Sequence, residues 1–145
     1  MTRERIFLFD TTLRDGQQAQ GVDFSVKDKL RIAEAMDALG IDYIEGGWPG
    51  ANPTDSDFFA AAPRMSNATF TAFGMTKRVG RSAGNDDVLA AVINAGTPAV
   101  CLVGKTHDFH VTTALGVSLE ENLDAIGETF VHLVGVGREA LFDCE

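Results

Sequence analysis

A chain of 145 residues with 45% hydrophobic and 23% charged side chains is long enough for one domain with a proper core and too apolar to be disordered. Its formal charge of −9 leaves no basic surplus for a nucleic-acid or anionic-membrane partner. No apolar run approaches a membrane span, and Met1-Thr2-Arg3-Glu4-Arg5-Ile6 lacks the apolar core of a secretory signal, so the chain reads as cytoplasmic with small-molecule partners.

Apolar strand-like runs alternate with amphipathic helical stretches from end to end. Ile6 to Phe9 reads as a short buried strand that ends abruptly in Asp10-Thr11-Thr12-Leu13-Arg14-Asp15-Gly16-Gln17-Gln18. Ser25 with Asp28 then forms a capping pair, and Val26, Leu30, Ala33, Met36 and Leu39 recur at helical spacing until Gly40 stops the helix. Ile41 to Glu45 is the second strand, leaving through Gly46-Gly47-Trp48-Pro49-Gly50, and a short helix from Asp55 to Ala62 precedes Pro63. Ala68 to Phe73 is the third strand. Asp86 or Asp87 opens a helix that Gly96 closes, Ala99 to Val103 is the fourth strand, and Ser118 with Glu121 caps a helix running to about Leu133. Glu139 to Asp143 is the fifth strand. Cys101 and Cys144 fall in apolar strand-like runs without zinc-finger spacing and read as buried, reduced thiols.

Strict strand-helix alternation means a parallel sheet with right-handed crossovers, either an open doubly wound sheet or part of a closed (β/α)8 barrel. No glycine-rich dinucleotide turn follows the first strand. Gly135-Val136-Gly137 sits between a helix and a strand and reads as a helix stop. In either architecture the site lies at the carboxyl ends of the strands. Polar groups gather at those ends: Arg14 and Asp15 after the first, Glu45 at the end of the second, Lys105, His107 and Asp108 after the fourth, Asp143 and Glu145 after the fifth. Arg14 offers a planar cation for a carbonyl or carboxylate oxygen, and Asp15 a hard oxygen donor for a divalent cation.

Asp10-Thr11-Thr12-Leu13-Arg14-Asp15-Gly16-Gln17-Gln18 resembles the D-T-T-L-R-D-G-x-Q signature of the 2-isopropylmalate, homocitrate and citramalate synthase family, whose wider circle includes 3-hydroxy-3-methylglutaryl-CoA lyase. Ile41-Asp42-Tyr43-Ile44-Glu45-Gly46-Gly47-Trp48-Pro49-Gly50-Ala51-Asn52-Pro53 and Gly104-Lys105-Thr106-His107-Asp108-Phe109-His110-Val111 are similar to segments of the citramalate synthase branch. Gln20 and His107 depart from that branch, which commonly has Glu and Trp there.

The resemblance implies an α/β fold, a (β/α)8 TIM barrel of which residues 1–145 are the N-terminal part with about the first five strands. It implies acetyl-CoA as co-substrate, condensed with a 2-keto acid, pyruvate giving citramalate, in branched-chain amino acid biosynthesis. Asp15 matches the family's metal-ligating aspartate (Mg, Mn or Zn). Arg14 matches the arginine facing the keto oxygen, and Glu145 the glutamate that holds that arginine. Gln18 matches the amide beside the metal, and Arg14, Gln18, Glu45 and Lys105 are the expected substrate-binding residues. The family's His-x-His pair and Asn come from later strands, and His107 and His110, separated by two residues, read as loop or packing residues; His132 reads as a helix-face residue. Asp15 alone is then expected to bind metal weakly, the chain alone to lack turnover, and its open strand edges to favour a homo-oligomer. The alternatives are a lyase of the 3-hydroxy-3-methylglutaryl-CoA type and a non-catalytic, self-associating half-barrel.

Overall fold

Five parallel strands lie side by side in chain order in the computed structural model, which describes residues 4–61 and 63–145. They are β1 (Phe9–Asp10), β2 (Tyr43–Glu45), β3 (Thr69–Met75), β4 (Ala99–Gly104) and β5 (Glu139–Cys144), separated by α1 (Val26–Leu39), α2 (Pro53–Ala60), α3 (Asp87–Asn94) and α4 (Leu119–Gly135). A doubly wound sheet reverses its strand order at a switch point, whereas a barrel adds each strand beside the last. The order β1-β2-β3-β4-β5 is that of a barrel.

The sheet is also curled. On a flat sheet β2 and β5, with two strands between them, stand about 14 Å apart. Yet the Tyr43 hydroxyl donates to the Glu139 carboxylate at 2.6 Å, across the concave face. Alternate residues point the other way. Ile44, Phe70, Ala72, Val100 and Leu102 pack with Ala33, Met36, Phe58, Leu89, Val92 and Leu133 of the four helices in the main core. The five strands form a half-barrel, the first part of a TIM barrel.

Local signals set the helix ends. Ser25 and Asp28 form a reciprocal capping box on α1, and Ser118 and Glu121 one on α4. Gly40 ends α1 with φ 89°, a left-handed conformation that glycine adopts without a Cβ penalty. The second helix starts earlier than its apolar pattern suggests, because Asn52 caps it and Pro53 takes its first position. Its expected end at Ala62, and residues 1–3, lie outside the described residues. Between β4 and α4 the run His110–Leu115, expected as loop, winds into a π-helix.

Three expectations need correction. The first strand is Phe9–Asp10 rather than a buried Ile6 to Phe9, and Ile6 is 83% exposed. Among the described residues its ladder forms with β2 alone, which leaves one flank of the segment without a covering strand. On α1 the inward face is Lys29, Ala33, Met36 and Asp37, while Leu39 faces solvent. Cys101 is buried as expected, but Cys144, at the far end of the outer strand β5, is exposed.

Asp37 ties the end of α1 to the approach of β3. Its carboxylate accepts the backbone N–H groups of Ser66, Asn67 and Ala68 at 2.9, 2.8 and 2.7 Å. The bonds from Ala68 and Ser66 hold its pKa below the ordinary 3.8 against the opposing effect of burial. This stabilisation is present above that ordinary value and is lost as pH falls through the lowered one. Asp37→Ala is expected to cost about 2–4 kcal/mol at neutral pH. Urea unfolding measures this, and a midpoint equal to the parent's would contradict it.

Candidate active site

The turn after β1 brings Arg14 and Asp15 over the end of β2. Leu13, fully buried, anchors this turn, and the Thr11 carbonyl accepts N–H groups from Arg14, Asp15 and Gly16 at 3.1, 2.8 and 3.1 Å. So fixed, Arg14 lies 17% exposed at the wall of a cavity of about 860 Å³. Asp15, Gln18, Lys105 and Glu145 line the same cavity with Trp48, Phe73 and Asp143. The expected residues therefore converge, with Glu45 packed beneath them rather than in the lining.

Arg14 is gripped from three sides. Its Nε donates to Glu45 Oε2 at 2.7 Å, and one terminal nitrogen donates to Asp15 at 3.1 Å. Its guanidinium carbon sits 4.0 Å from the centre of the Phe73 ring. Among the described residues the carboxylates that bond Arg14 are Glu45 and Asp15, and Glu145, the glutamate the resemblance implied for that place, bonds Lys105 instead. The β4–β5 register sets Gly104 opposite Cys144, and the next residues out, Lys105 and Glu145, pair at 2.7 Å. Lys105 thereby holds the Glu145 carboxyl below the usual range. Glu45, by contrast, reaches Arg14 because Asp10 pairs with Ile44 in the neighbouring strand.

Glu45 is fully buried, and among the described residues its Oε1 has no hydrogen-bond partner. Burial pushes its pKa above the ordinary 4.5, with Arg14 pulling the other way. Nearby, burial and then the Glu45 charge push the Cys101 thiol up to about 12, so it stays a neutral thiol at physiological pH. Phe73 and Cys101 carried no sequence signal for a site, since both look like ordinary core residues of strands. Of the remaining candidates, His107 and His110 lie exposed with their rings 5.3 Å apart, and His132 lies on α4.

The HMGL-like family model matches residues 5–145. The chain belongs to the HMGL-like family. The (R)-citramalate synthase of Aquifex aeolicus is 50% identical over 144 residues, covering 98% of this chain and 27% of the relative. The 2-isopropylmalate synthase of Thiobacillus denitrificans is 34% identical over 145 residues, covering 98% and 26%. This HMGL-like chain thus spans about a quarter of the length of the curated relatives it matches. The solved hydroxymethylglutaryl-CoA lyase from Pseudomonas aeruginosa superposes with a TM-score of 0.73 at 19% identity, over 97% of this chain and 46% of that one, a likeness of fold.

The metal that membership of the HMGL-like family implies finds one candidate ligand. Asp15 is 61% exposed, and its Oδ1 already accepts from Arg14. Among the described residues no three His, Cys, Asp or Glu side chains group as a metal-ligand set. Magnesium or manganese asks for about six oxygen donors. The side chains present do not by themselves fit the ion. Among the described residues no helix is long and apolar enough to cross a membrane.

Proposed function

We propose that this chain is the N-terminal part of the catalytic barrel of an acyltransferase that condenses acetyl-CoA with a 2-keto acid, pyruvate giving citramalate, in branched-chain amino acid biosynthesis in the cytoplasm. Arg14 carries the reading: an arginine braced by a buried carboxylate at the wall of a cavity. Once the acetyl methyl group has lost a proton to a base, its carbon adds to the keto carbon and the carbonyl electron pair moves onto the keto oxygen, which takes up a proton. Water then cleaves the thioester to release the thiol. A guanidinium fixed in advance stabilises the charge formed on the keto oxygen without reorganising during the reaction. Its planar fork meets carbonyl and carboxylate oxygens together, which a lysine ammonium does not.

Gln18 and Lys105 join Arg14 as substrate-binding groups on the cavity wall, and Glu145, beside Lys105, is a catalytic group at the same rim. Glu45 acts beneath them through its bond to Arg14. Asp15 provides one carboxylate toward a divalent cation (Mg, Mn or Zn), too few donors for tight binding, so residues 1–145 alone are inactive. The open edges at β1 and β5 favour pairing with further strands or a second copy. A synthase is preferred to a lyase because identity to the synthases extends over the whole chain at up to 50%, whereas the lyase likeness is one of fold.

A chimera tests the reading. Residues 1–145 replace the matching segment of the Aquifex aeolicus enzyme, and thiol release from acetyl-CoA is followed with a panel of 2-keto acids. Release dependent on keto acid, with pyruvate preferred, is expected from the chimera and none from residues 1–145 alone. A folded chimera that releases no thiol overturns the proposal.

A further inference from the structure

The ion pair between Lys29 of α1 and Asp55 of α2 bonds none of Arg14, Asp15, Gln18, Glu45, Lys105 and Glu145, and its side chains are 0% and 3% exposed although Asp55 lies at the cavity lining. Removing two charges from water often costs more than their attraction returns, and an apolar pair of similar volume is then as stable or more so. Stability alone gives no reason for a lysine on the inward face of a helix.

What the pair holds is the turn leaving β2. Lys29 Nζ donates to the Gly46 carbonyl at 3.0 Å as well as to Asp55. The Asp55 carboxylate accepts the Trp48 backbone N–H and the Asn52 side-chain N–H, each at 3.0 Å. The first two residues of the turn, Gly46 and Gly47, have no side chains with which to fix it. A Cβ on Gly46 would lie 2.6 Å from the Phe70 ring, and one on Gly47 2.6 Å from the Asp55 carboxylate. Gly47 also takes φ 143°, a conformation that side-chain-bearing residues rarely adopt.

Trp48 is the first residue of the turn to carry a side chain. Its ring meets Phe73 edge-on, 5.6 Å between centres and 82° between planes. The Phe73 ring in turn lies against the Arg14 guanidinium. Contacts thus run without a gap from Lys29 through Asp55 and Trp48 to Phe73 and Arg14.

We propose that Lys29 and Asp55 are positioning residues: they pin the turn after β2 so that Trp48 buttresses Phe73, and Phe73 sets the plane of the Arg14 guanidinium. The role in turnover rests on the reading of Arg14 as the substrate-binding cation, whereas the mechanical link is independent of it. Trp48 is the chain's only tryptophan, so its emission reports the turn directly.

Lys29→Met in the 145-residue chain keeps the length of the side chain and removes its charge. The expected result is an unchanged far-ultraviolet circular dichroism spectrum, Trp48 emission shifted to longer wavelength, and stronger quenching of that emission by acrylamide. A folded variant whose Trp48 emission and quenching match the parent's overturns the proposal. If Lys29→Met does not fold, Asp55→Asn decides by the same two readouts, since it keeps an oxygen for the Trp48 N–H and loses the ion pair. Failure of both to fold makes the pair a folding element and also overturns the proposal. In the chimera, Lys29→Met is expected to lower kcat about 3- to 30-fold with the KM for acetyl-CoA unchanged. A parent chimera without turnover sinks the synthase reading and leaves the fluorescence result standing.

Discussion

Arg14→Ala in the chimera is expected to lower thiol release by about three decades, with the fold intact. The magnitude follows from what the site has arranged around this one side chain. Glu45 and Asp15 take two of its donor nitrogens, and the Phe73 ring occupies one face, so the guanidinium is oriented before substrate arrives. Removing one preorganised donor to a developing oxyanion costs about 10²- to 10³-fold in enzymes of known mechanism, and a charged donor belongs at the upper end. Arg14→Lys is expected to recover little of the loss. An ammonium cannot bond Glu45 through Nε and still present a planar pair of donors to the keto acid. On the proposed reading the keto-acid KM and kcat both bear on the result, because the same cation would bind the ground state and meet the charge formed during addition. Full turnover by Arg14→Ala would remove the central assignment.

Much of the fold is legible in the sequence because its punctuation is local. Ser25 with Asp28 and Ser118 with Glu121 satisfy each helix start within three residues, and Gly40 ends α1 through its own backbone freedom. The first strand is not legible in this way. Ile6, Phe7 and Leu8 have the composition of a buried strand, but burial depends on a neighbour on the far flank, and β1 has β2 alone. The site divides along the same line. Arg14, Asp15, Gln18, Lys105 and Glu145 could be placed at one rim because each follows a strand end. Which carboxylate braces the arginine depends on strand adjacency: β2 lies next to β1, while β5 is four strands away. Glu45 is therefore within reach of Arg14, and Glu145 finds Lys105 on the adjacent β4 instead. Lys29 had a signal that hydrophobic periodicity passes over. It stands four residues before Ala33 and seven before Met36, on the face that packs inward.

Glu45→Gln is expected to separate stability from activity. The buried carboxylate pays for its bond to Arg14 with an unpartnered Oε1 and a pKa raised by burial. A carboxyl whose folded value lies above its unfolded one favours the folded state while protonated. That advantage is lost as pH climbs from the ordinary 4.5 through the raised value. The sense is opposite to that of Asp37 and Asp86. At Asp86 burial pushes the pKa upward, but bonds from the N–H groups of Arg78, Leu89 and Val88 outweigh it and lower the pKa, so stability is lost on acidification. Subtracting the unfolding free energy of Glu45→Gln from that of the parent, from pH 4 upward, isolates the Glu45 contribution, and the difference is expected to fall as pH rises. The amide retains an oxygen for Arg14 Nε but supplies no charge to hold the guanidinium. Loosening the cation by a fraction of its bond length to the substrate is enough for a loss in kcat of about 10²-fold. The variant is thus expected to lose less stability than the parent between pH 4 and neutral pH, and to be far slower. A parent and variant with parallel stability profiles would show that Glu45 carries no titration cost, and equal turnover would show that Arg14 needs no charged brace.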